Sequence, residues 1–384
     1  MKNNKIGYRP TWAEVNLKNL SHNFKEIKRF VSSDTKIMAC VKADAYGHGI
    51  IPVSRRLELL GVDCLGVASI DEGIDLRKAG LKSQILVLGL MLKADIDPLF
   101  KYRITPTVCT DDLAKALDSA ACFQKSPIAV HIKIDTGMGR VGVLYDQAIH
   151  FIRRAQKLKH IRIQGIFTHF PLADVNDDFT RNQIRKMNLI LSSLKKEGID
   201  IPIVHTANSM GIISYQNSHF NMVRPGLFLY GLYPKKNFFP KAGSRNMRGE
   251  IKLKPVLSLK TRVIYIKRVP KDYGISYGHT YITGRESTIV TLPIGYGDGY
   301  PRNLSNKAPI LIQGRRFKIS GRVCMDQIMV DVGDYKVKAG AEAVLIGFQG
   351  KNRITAEELA KLSGTIPYEI ACGLGSRIPR VYVD

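Results

Sequence analysis

From Lys36 to Tyr230 the chain repeats one pattern, a short and nearly continuous apolar run followed by a longer stretch with apolar residues at helical spacing. The runs are Lys36–Lys42, Cys64–Ala68, Ile85–Gly89, Thr105–Cys109, Ala129–Asp135, Ile161–His169, Ile201–Ala207 and Met222–Tyr230. Runs that are apolar at every position, rather than at alternate ones, read as strands buried on both faces. The stretches Leu20–Phe30, Asp71–Ala79, Thr110–Ala120, Tyr145–Leu158 and Phe179–Lys196 read as helices, with Asp71 and Thr110 placed to cap two of them. Eight strands alternating with helices predict a (β/α)8 barrel of the TIM type.

After Tyr233 the rhythm changes. A Pro, Gly and Lys-rich passage reaches Pro255, and beyond it the runs Val256–Val269, Ser287–Pro293, Ala308–Gln313, Phe317–Gly321, Gln327–Val332 and Ala343–Phe348 are separated by Gly-rich turns. These read as strands of a mainly β domain. One helix, Ala356–Leu362, interrupts them behind Thr355, with Glu358 three residues on to complete a capping box. The expected α/β organisation is a barrel over residues 12–240 and a C-terminal β domain over 241–384, with segment 1–11 packing on the latter.

Composition changes this picture little. The 384 residues suit two domains. The start is polar and basic, without the apolar core of a secretory signal, and no apolar run approaches a membrane span, so a soluble cytoplasmic protein is expected. Six scattered cysteines without a CxxC pair read as reduced thiols, neither a metal site nor a disulfide framework. The net charge of +25 could favour nucleic acid. The basic residues are nevertheless dispersed and lack an aromatic stacking cluster, so they read as a solvated surface that also suits an anionic ligand.

The chemistry gathers at the predicted strand ends, where a barrel places its active site. They carry Lys42 and Tyr46, then Asp135 to Arg140, Thr168-His169, His205 to Ser209, and Arg224-Pro225-Gly226. Lys42 ends an apolar run and suits a Schiff-base lysine. The last two loops offer the Ser209 hydroxyl and the free N–H groups of Gly226 and Leu227 to a phosphate. A lysine for an aldehyde beside a phosphate site makes pyridoxal phosphate (PLP) the natural ligand. Arg224 then stands where most enzymes using that cofactor place a carboxylate, and a permanent cation against the ring nitrogen keeps it unprotonated and weakens the electron sink.

The strings VKADAYGHG (41–49), DTGMGRVG (135–142), THF (168–170), HTANS (205–209), NMVRPGLFLYG (221–231), SYGHTY (276–281), PIGYGDGYPR (293–302) and GRVCMDQ (321–327) resemble alanine racemase, in order and over nearly the whole chain. The resemblance implies a PLP-dependent racemase interconverting L- and D-alanine, with D-alanine feeding peptidoglycan, and a head-to-tail homodimer with shared active sites. It implies that Lys42 holds PLP and is the base for the D-enantiomer, and that Tyr277 of the partner subunit serves the L-enantiomer. Racemisation needs two such acid/base groups on opposite faces of a planar carbanion.

By the same resemblance Arg224 meets the pyridine nitrogen and His169 supports it. Tyr46, Ser209, Gly226 and Leu227 contact the phosphate, with Asn208 beside them. Arg140 and Met325 contact the substrate carboxylate, Met325 from the partner subunit, while Tyr296 lines the entrance. Lys133 matches a lysine that some members carbamylate. The chain departs from the pattern near its C-terminus, where Ala371 to Arg377 lacks a further phosphate-binding tyrosine and carries Ser376. A same-fold decarboxylase is expected to have an acidic residue in place of Arg224, and serine-acting racemases a polar one in place of Met325. A non-catalytic PLP-binding barrel would lack the second domain.

Overall fold

The computed structural model describes residues 8–234 and 250–384. Among them eight parallel strands, Lys36–Cys40, Cys64–Val67, Gln84–Val87, Thr107–Val108, Ile128–Asp135, Ile161–Phe167, Ile203–Asn208 and Met222–Arg224, form a ring in chain order. The last pairs with the first through Met222 and Val223 opposite Lys36 and Ile37, and the ring closes between the third and fourth through a Leu86–Thr105 bridge. All eight predicted runs are barrel strands. Two are shorter than expected because proline has no N–H to give a ladder. Pro106 leaves only Thr107–Val108, and Pro225 stops the last strand at Arg224, after which Leu227–Tyr230 is a fully buried 3-10 turn.

The predicted helices are present as Leu17–Phe30, Ile70–Lys78, Asp111–Phe123, Ala148–Gln156 and Asp177–Lys196. Thr110 caps its helix by accepting from Leu113 N–H, but Ser69 rather than Asp71 caps the second. No helix among the described residues is long and apolar enough to cross a membrane.

The second domain holds a seven-stranded sheet, whose path runs Arg315–Lys318, Pro309–Ile312, Glu342–Gln349, Leu257–Arg262, Thr11–Asn16 and Arg380–Val383, and a three-stranded sheet of Tyr265–Val269, Ser287–Leu292 and Ile328–Gly333. The strand Thr11–Asn16, expected with the barrel, lies in this sheet, antiparallel to Leu257–Arg262 and parallel to Arg380–Val383. The chain therefore starts in the second domain before building the first. Arg9 extends that attachment through a fork-on-fork pair with the buried Asp298. The expected division at 240/241 lies outside the described residues, as do residues 1–7 of the N-terminal segment. The helix Ala356–Ser363 is capped by Thr355, which accepts from Glu358 N–H at 3.1 Å. Glu358 turns its carboxylate to Arg316, so half of the expected capping box forms.

Candidate active site

Lys42 stands two residues beyond the end of its strand rather than on it, at the head of the turn Lys42–Gly47. Ala43, Asp44, Ala45 and Tyr46 all have φ of 52–54° and form a left-handed turn built without glycine. That conformation costs on the order of 1 kcal/mol per residue, so the surroundings must impose it. Glu72 accepts from Ala43 N–H and Ala68 N–H, both at 2.7 Å, and Asp44 accepts from Ile50 N–H at 2.8 Å. The second domain closes the other side. Arg380 donates to Gly47 O, Gly375 O, Ile378 O and Leu374 O, and a Cβ on Gly47 would lie 2.2 Å from Ala371 O.

Arg224, at the end of the last strand, is buried, and among the described residues it forms no ion pair with a carboxylate. One terminal nitrogen donates to His205 Nδ1 (2.9 Å) and His205 O (2.6 Å), the other to Thr168 O (2.6 Å) and Thr206 O (3.1 Å). Four of the five N–H groups of a guanidinium are thus committed, and Nε–H is left. Burial lowers its pKa to about 10, so it stays charged at neutral pH.

Burial and the cations Arg224, Arg140, Lys133 and Lys42 together hold His169 well below the usual histidine range. Lys133 is 4% exposed, with its Nζ 5.3 Å from the Phe167 ring centroid. Burial, Arg140, Arg224 and Lys42 bring its amine down to about 8. Arg140 is exposed, on a loop that Asp135 gathers by accepting from the N–H groups of Gly137, Met138 and Gly139. The barrel mouth is therefore strongly electropositive, which suits an anionic occupant.

The expected phosphate cradle is present with its parts rearranged. Ser209 Oγ accepts from Gly226 N–H (3.0 Å) and Phe228 N–H (3.4 Å), so the Gly226 N–H is not free as expected. Gly226 contributes a missing side chain instead, since a Cβ there would lie 2.5 Å from Tyr46 Oη. The Ser209 O–H and the Leu227 N–H, first of its turn, remain as donors. Asn208 caps the short helix Ser209–Ser214 by accepting from Gly211 N–H and donates to Phe170 O, which commits it to holding the backbone. Tyr46 lies on the buried Tyr230, ring centroids 4.8 Å apart, and burial pushes its phenol well above the usual range.

The second-domain residues are elsewhere. Tyr277, Met325 and Tyr296 are 69%, 53% and 41% exposed, and among the described residues Tyr277 makes no side-chain hydrogen bond. They share one rigid surface. Ser276 Oγ donates to Arg322 O at 2.7 Å, Tyr296 N–H to Cys324 O, and Gly297 N–H to Met325 O. Within one chain the structure gathers Lys42, Tyr46, Lys133, Arg140, His169, Ser209, Arg224, Gly226 and Leu227 at the barrel mouth. Among the described residues no hydrogen bond, ion pair or ring contact links Tyr277, Met325 or Tyr296 to them.

Sequence reasoning missed Tyr368, on the helix Pro367–Cys372, whose ring centroid is 6.1 Å from that of Tyr46. It also missed Glu72 and Arg380, which hold the lysine turn. A tyrosine near the C-terminus was the signal sought, and Tyr368 lies eight positions before Ser376.

Comparison with known proteins gives the family. Family models described as the alanine racemase N-terminal domain and C-terminal domain match residues 15–234 and 256–382. An alanine racemase of Halothermothrix orenii is 48% identical over 99% of this chain and 98% of its own length, and one of Carboxydothermus hydrogenoformans 44% identical over 98% and 100%. Among solved structures, alanine racemase of Clostridium difficile 630 superposes with a TM-score of 0.90 at 40% identity, covering 97% of this chain and 96% of that one. The Bacillus anthracis enzyme with bound L-Ala-P gives 0.89 at 38%, covering 98% and 96%. With both family domains matched in order and full-length relatives above 40% identity, this chain belongs to the alanine racemase family.

Proposed function

We propose that the protein interconverts L- and D-alanine with PLP as cofactor, in a homodimer where each active site joins one barrel mouth to the second domain of the other copy, and that its D-alanine serves peptidoglycan. The observation that carries this reading is the division of the chemistry: a buried, cationic barrel mouth holding Lys42, and a separate exposed surface holding Tyr277.

The residues fit the cofactor. Gly226 has the Tyr46 hydroxyl packed against its Cα and the Ser209 hydroxyl on its N–H, with the Leu227 N–H next in the chain, and these donors suit a phosphate. Arg224 has one N–H uncommitted, as a ring nitrogen that only accepts would require. When bound, PLP supplies an electrophilic carbonyl carbon and a conjugated ring that accepts electron density from the substrate Cα. Its own phosphate and the substrate carboxylate are anions, which Lys42, Lys133 and Arg140 offset.

Lys42 Nζ removes or returns the Cα proton on one face, and Tyr277 Oη of the partner subunit acts on the other. The group that begins as base ends holding the proton taken from Cα and the other has given its own proton to the product, so their protonation states are exchanged and the next substrate of opposite hand resets them. Arg140 and Met325 of the partner subunit orient the substrate carboxylate, and Tyr296 of the partner subunit narrows the entrance. Part of Lys133 is uncharged near neutral pH and adds carbon dioxide, releasing a proton, to form a carbamate anion that steadies Arg140. With PLP bound, Arg224, a permanent cation that only donates, would leave the ring nitrogen unprotonated and so favour return of the proton over transamination.

The test is incubation of the purified protein and PLP with L-alanine in deuterium oxide. Loss of optical rotation together with α-deuterium in both enantiomers is expected. Retained rotation, or release of carbon dioxide, would reject the reading.

A further inference from the structure

A line of polar side chains runs through the barrel interior beneath Arg224 and takes no part in the chemistry above. His205 Nδ1 faces the Arg224 guanidinium at 2.9 Å, and His205 Nε2 lies 2.8 Å from His131 Nδ1. His131 Nε2 is 3.3 Å from Gln164 Oε1, which also receives Gln84 Nε2 at 2.6 Å. Arg224 ends its strand at the mouth, whereas Gln84 begins its own at the opposite end of the barrel. The line therefore spans the barrel.

The fold makes room for it at one point. A Cβ on Gly165 would lie 2.6 Å from His131 Cε1 and 2.7 Å from Nδ1, so the ring occupies the place of the side chain that its neighbouring strand lacks. Phe167 stacks on His205 from the other side, centroids 4.7 Å apart and planes within 8°.

The hydrogen bonds in this line have one permitted direction. Arginine only donates, so His205 Nδ1 must accept. Burial and the nearby Arg224 keep both rings neutral. A neutral His205 accepting at Nδ1 carries its proton on Nε2 and donates to His131 Nδ1. His131 then donates from Nε2 and needs an acceptor, which is Gln164 Oε1. Gln84, an amide donor at 2.6 Å, holds Gln164 with its oxygen facing inward. Were Gln164 to present its NH2 instead, each bond would reverse and His205 would turn an N–H against the guanidinium.

We propose that Gln84, Gln164 and His131 are positioning residues that fix the His205 tautomer, so that Arg224 is held by acceptors with its Nε–H turned to the site. The far end of the barrel thereby reinforces the direction that Arg224 requires at the reacting end, and a change there can oppose it. Only the kinetic consequence rests on the racemase reading; the tautomers belong to the protein itself.

Two substitutions separate this from simple electrostatics, because each adds one negative charge at adjacent points of the line. Gln84→Glu replaces the donor by an acceptor, so Gln164 turns its NH2 toward both neighbours and the line reverses. Gln164→Glu keeps an acceptor facing both neighbours and preserves the direction. In histidine-15N spectra of the full-length protein, Gln84→Glu is expected to move the His131 and His205 protons to Nδ1, and Gln164→Glu to leave them on Nε2. With PLP and alanine, Gln84→Glu is expected to lower kcat about tenfold, as misplacement of a supporting group does, while Gln164→Glu stays within about twofold. Unchanged tautomers in Gln84→Glu, or equal losses in both variants, would overturn the proposal. Should Gln84→Glu fail to fold, Gln84→Leu removes the donor without adding charge. A second set of His131 signals is then expected, and a single set matching the unaltered protein would overturn the proposal equally. Shifted tautomers with no racemisation in the unaltered protein would fault the racemase reading and leave the relay standing.

Discussion

The barrel mouth and the second-domain surface are built on opposite principles. At the mouth, side chains are desolvated and held by several fixed partners. Arg224 is gripped by four hydrogen bonds, Lys133 is 4% exposed, and a left-handed turn is forced on four residues that do not favour it. At the surface, the loops around Tyr277, Tyr296 and Met325 are just as firmly bonded to each other, yet the side chains themselves stand in solvent. A tyrosine and a methionine both more than half exposed on a rigid patch invite a covering partner. On the proposed reading, preorganisation serves one half of a site in one region and the complementary half in the other, and two copies of the chain join them.

The sharpest way to break that comparison is to disable each half in a different copy. Lys42→Ala and Tyr277→Phe should each lose at least about 10³-fold in kcat, the scale of removing a positioned acid/base group. If sites are shared across a two-fold dimer, dissociating and remixing the two inactive variants in equal amounts returns about a quarter of the unaltered activity, because half of the dimers are mixed and each has one intact site. No recovery on mixing would place both groups in one chain's site and defeat the shared-site reading. Within the barrel alone, Arg224→Lys keeps the charge and loses the fork. It should lower kcat about 10²-fold and stability by about 3 kcal/mol, since buried carbonyls are left without donors; a change in neither would mean that the grip does not matter.

The two regions also differ in how legible they were. Barrel strands declare themselves because burial on both faces makes every position apolar, and all eight runs proved to be strands. The turn after Cys40 gives no such sign. Ala43-Asp44-Ala45-Tyr46 contains no glycine, and the left-handed conformation comes from Glu72 and Arg380, 29 and more than 300 positions away in sequence. Residues 12–16, expected with the barrel, lie in the second-domain sheet for the same reason, as the antiparallel partner of their strand lies some 245 residues on. Residues carried in compact motifs, such as Ser209 and Arg224, could be proposed for a site from sequence, and the fold places them at the barrel mouth. His131 and Gln164, set singly within apolar runs, could not be seen as connected until the barrel brought their strands side by side.

Acid should separate the regions by stability. His48 and His131 are buried, and burial lowers both to about 4 from an unfolded value near 6.5. Between those values the unfolded chain binds more protons than the folded one. Their contribution is therefore complete above about pH 6.5 and is lost as pH falls toward 4, by on the order of 3 kcal/mol for each. Eight of the nine histidines precede residue 235, and the ninth, His279, is exposed in the second domain. Amide exchange should accordingly accelerate in the barrel before it does in the second domain as pH drops from 7 to 4.5. Equal acceleration in both, or none, would contradict this.

The smallest effect is expected in the exposed region, where on the proposed reading side chains serve a second copy's site without supporting their own fold. Met325→Ser removes an apolar thioether that is 53% exposed, so the unfolding free energy should change by less than about 0.5 kcal/mol. If this side chain faces substrate in a second copy, replacing it by a hydroxyl should raise kcat/KM for serine relative to alanine by about tenfold, within the range that one side-chain contact can discriminate. The two measurements read different things. A large stability loss would mean that Met325 packs within its own domain, and an unchanged substrate ratio at full stability would mean that it points away from the site. Either result would remove the proposed distinction between a barrel mouth organised within one chain and a surface that acts when a second copy covers it.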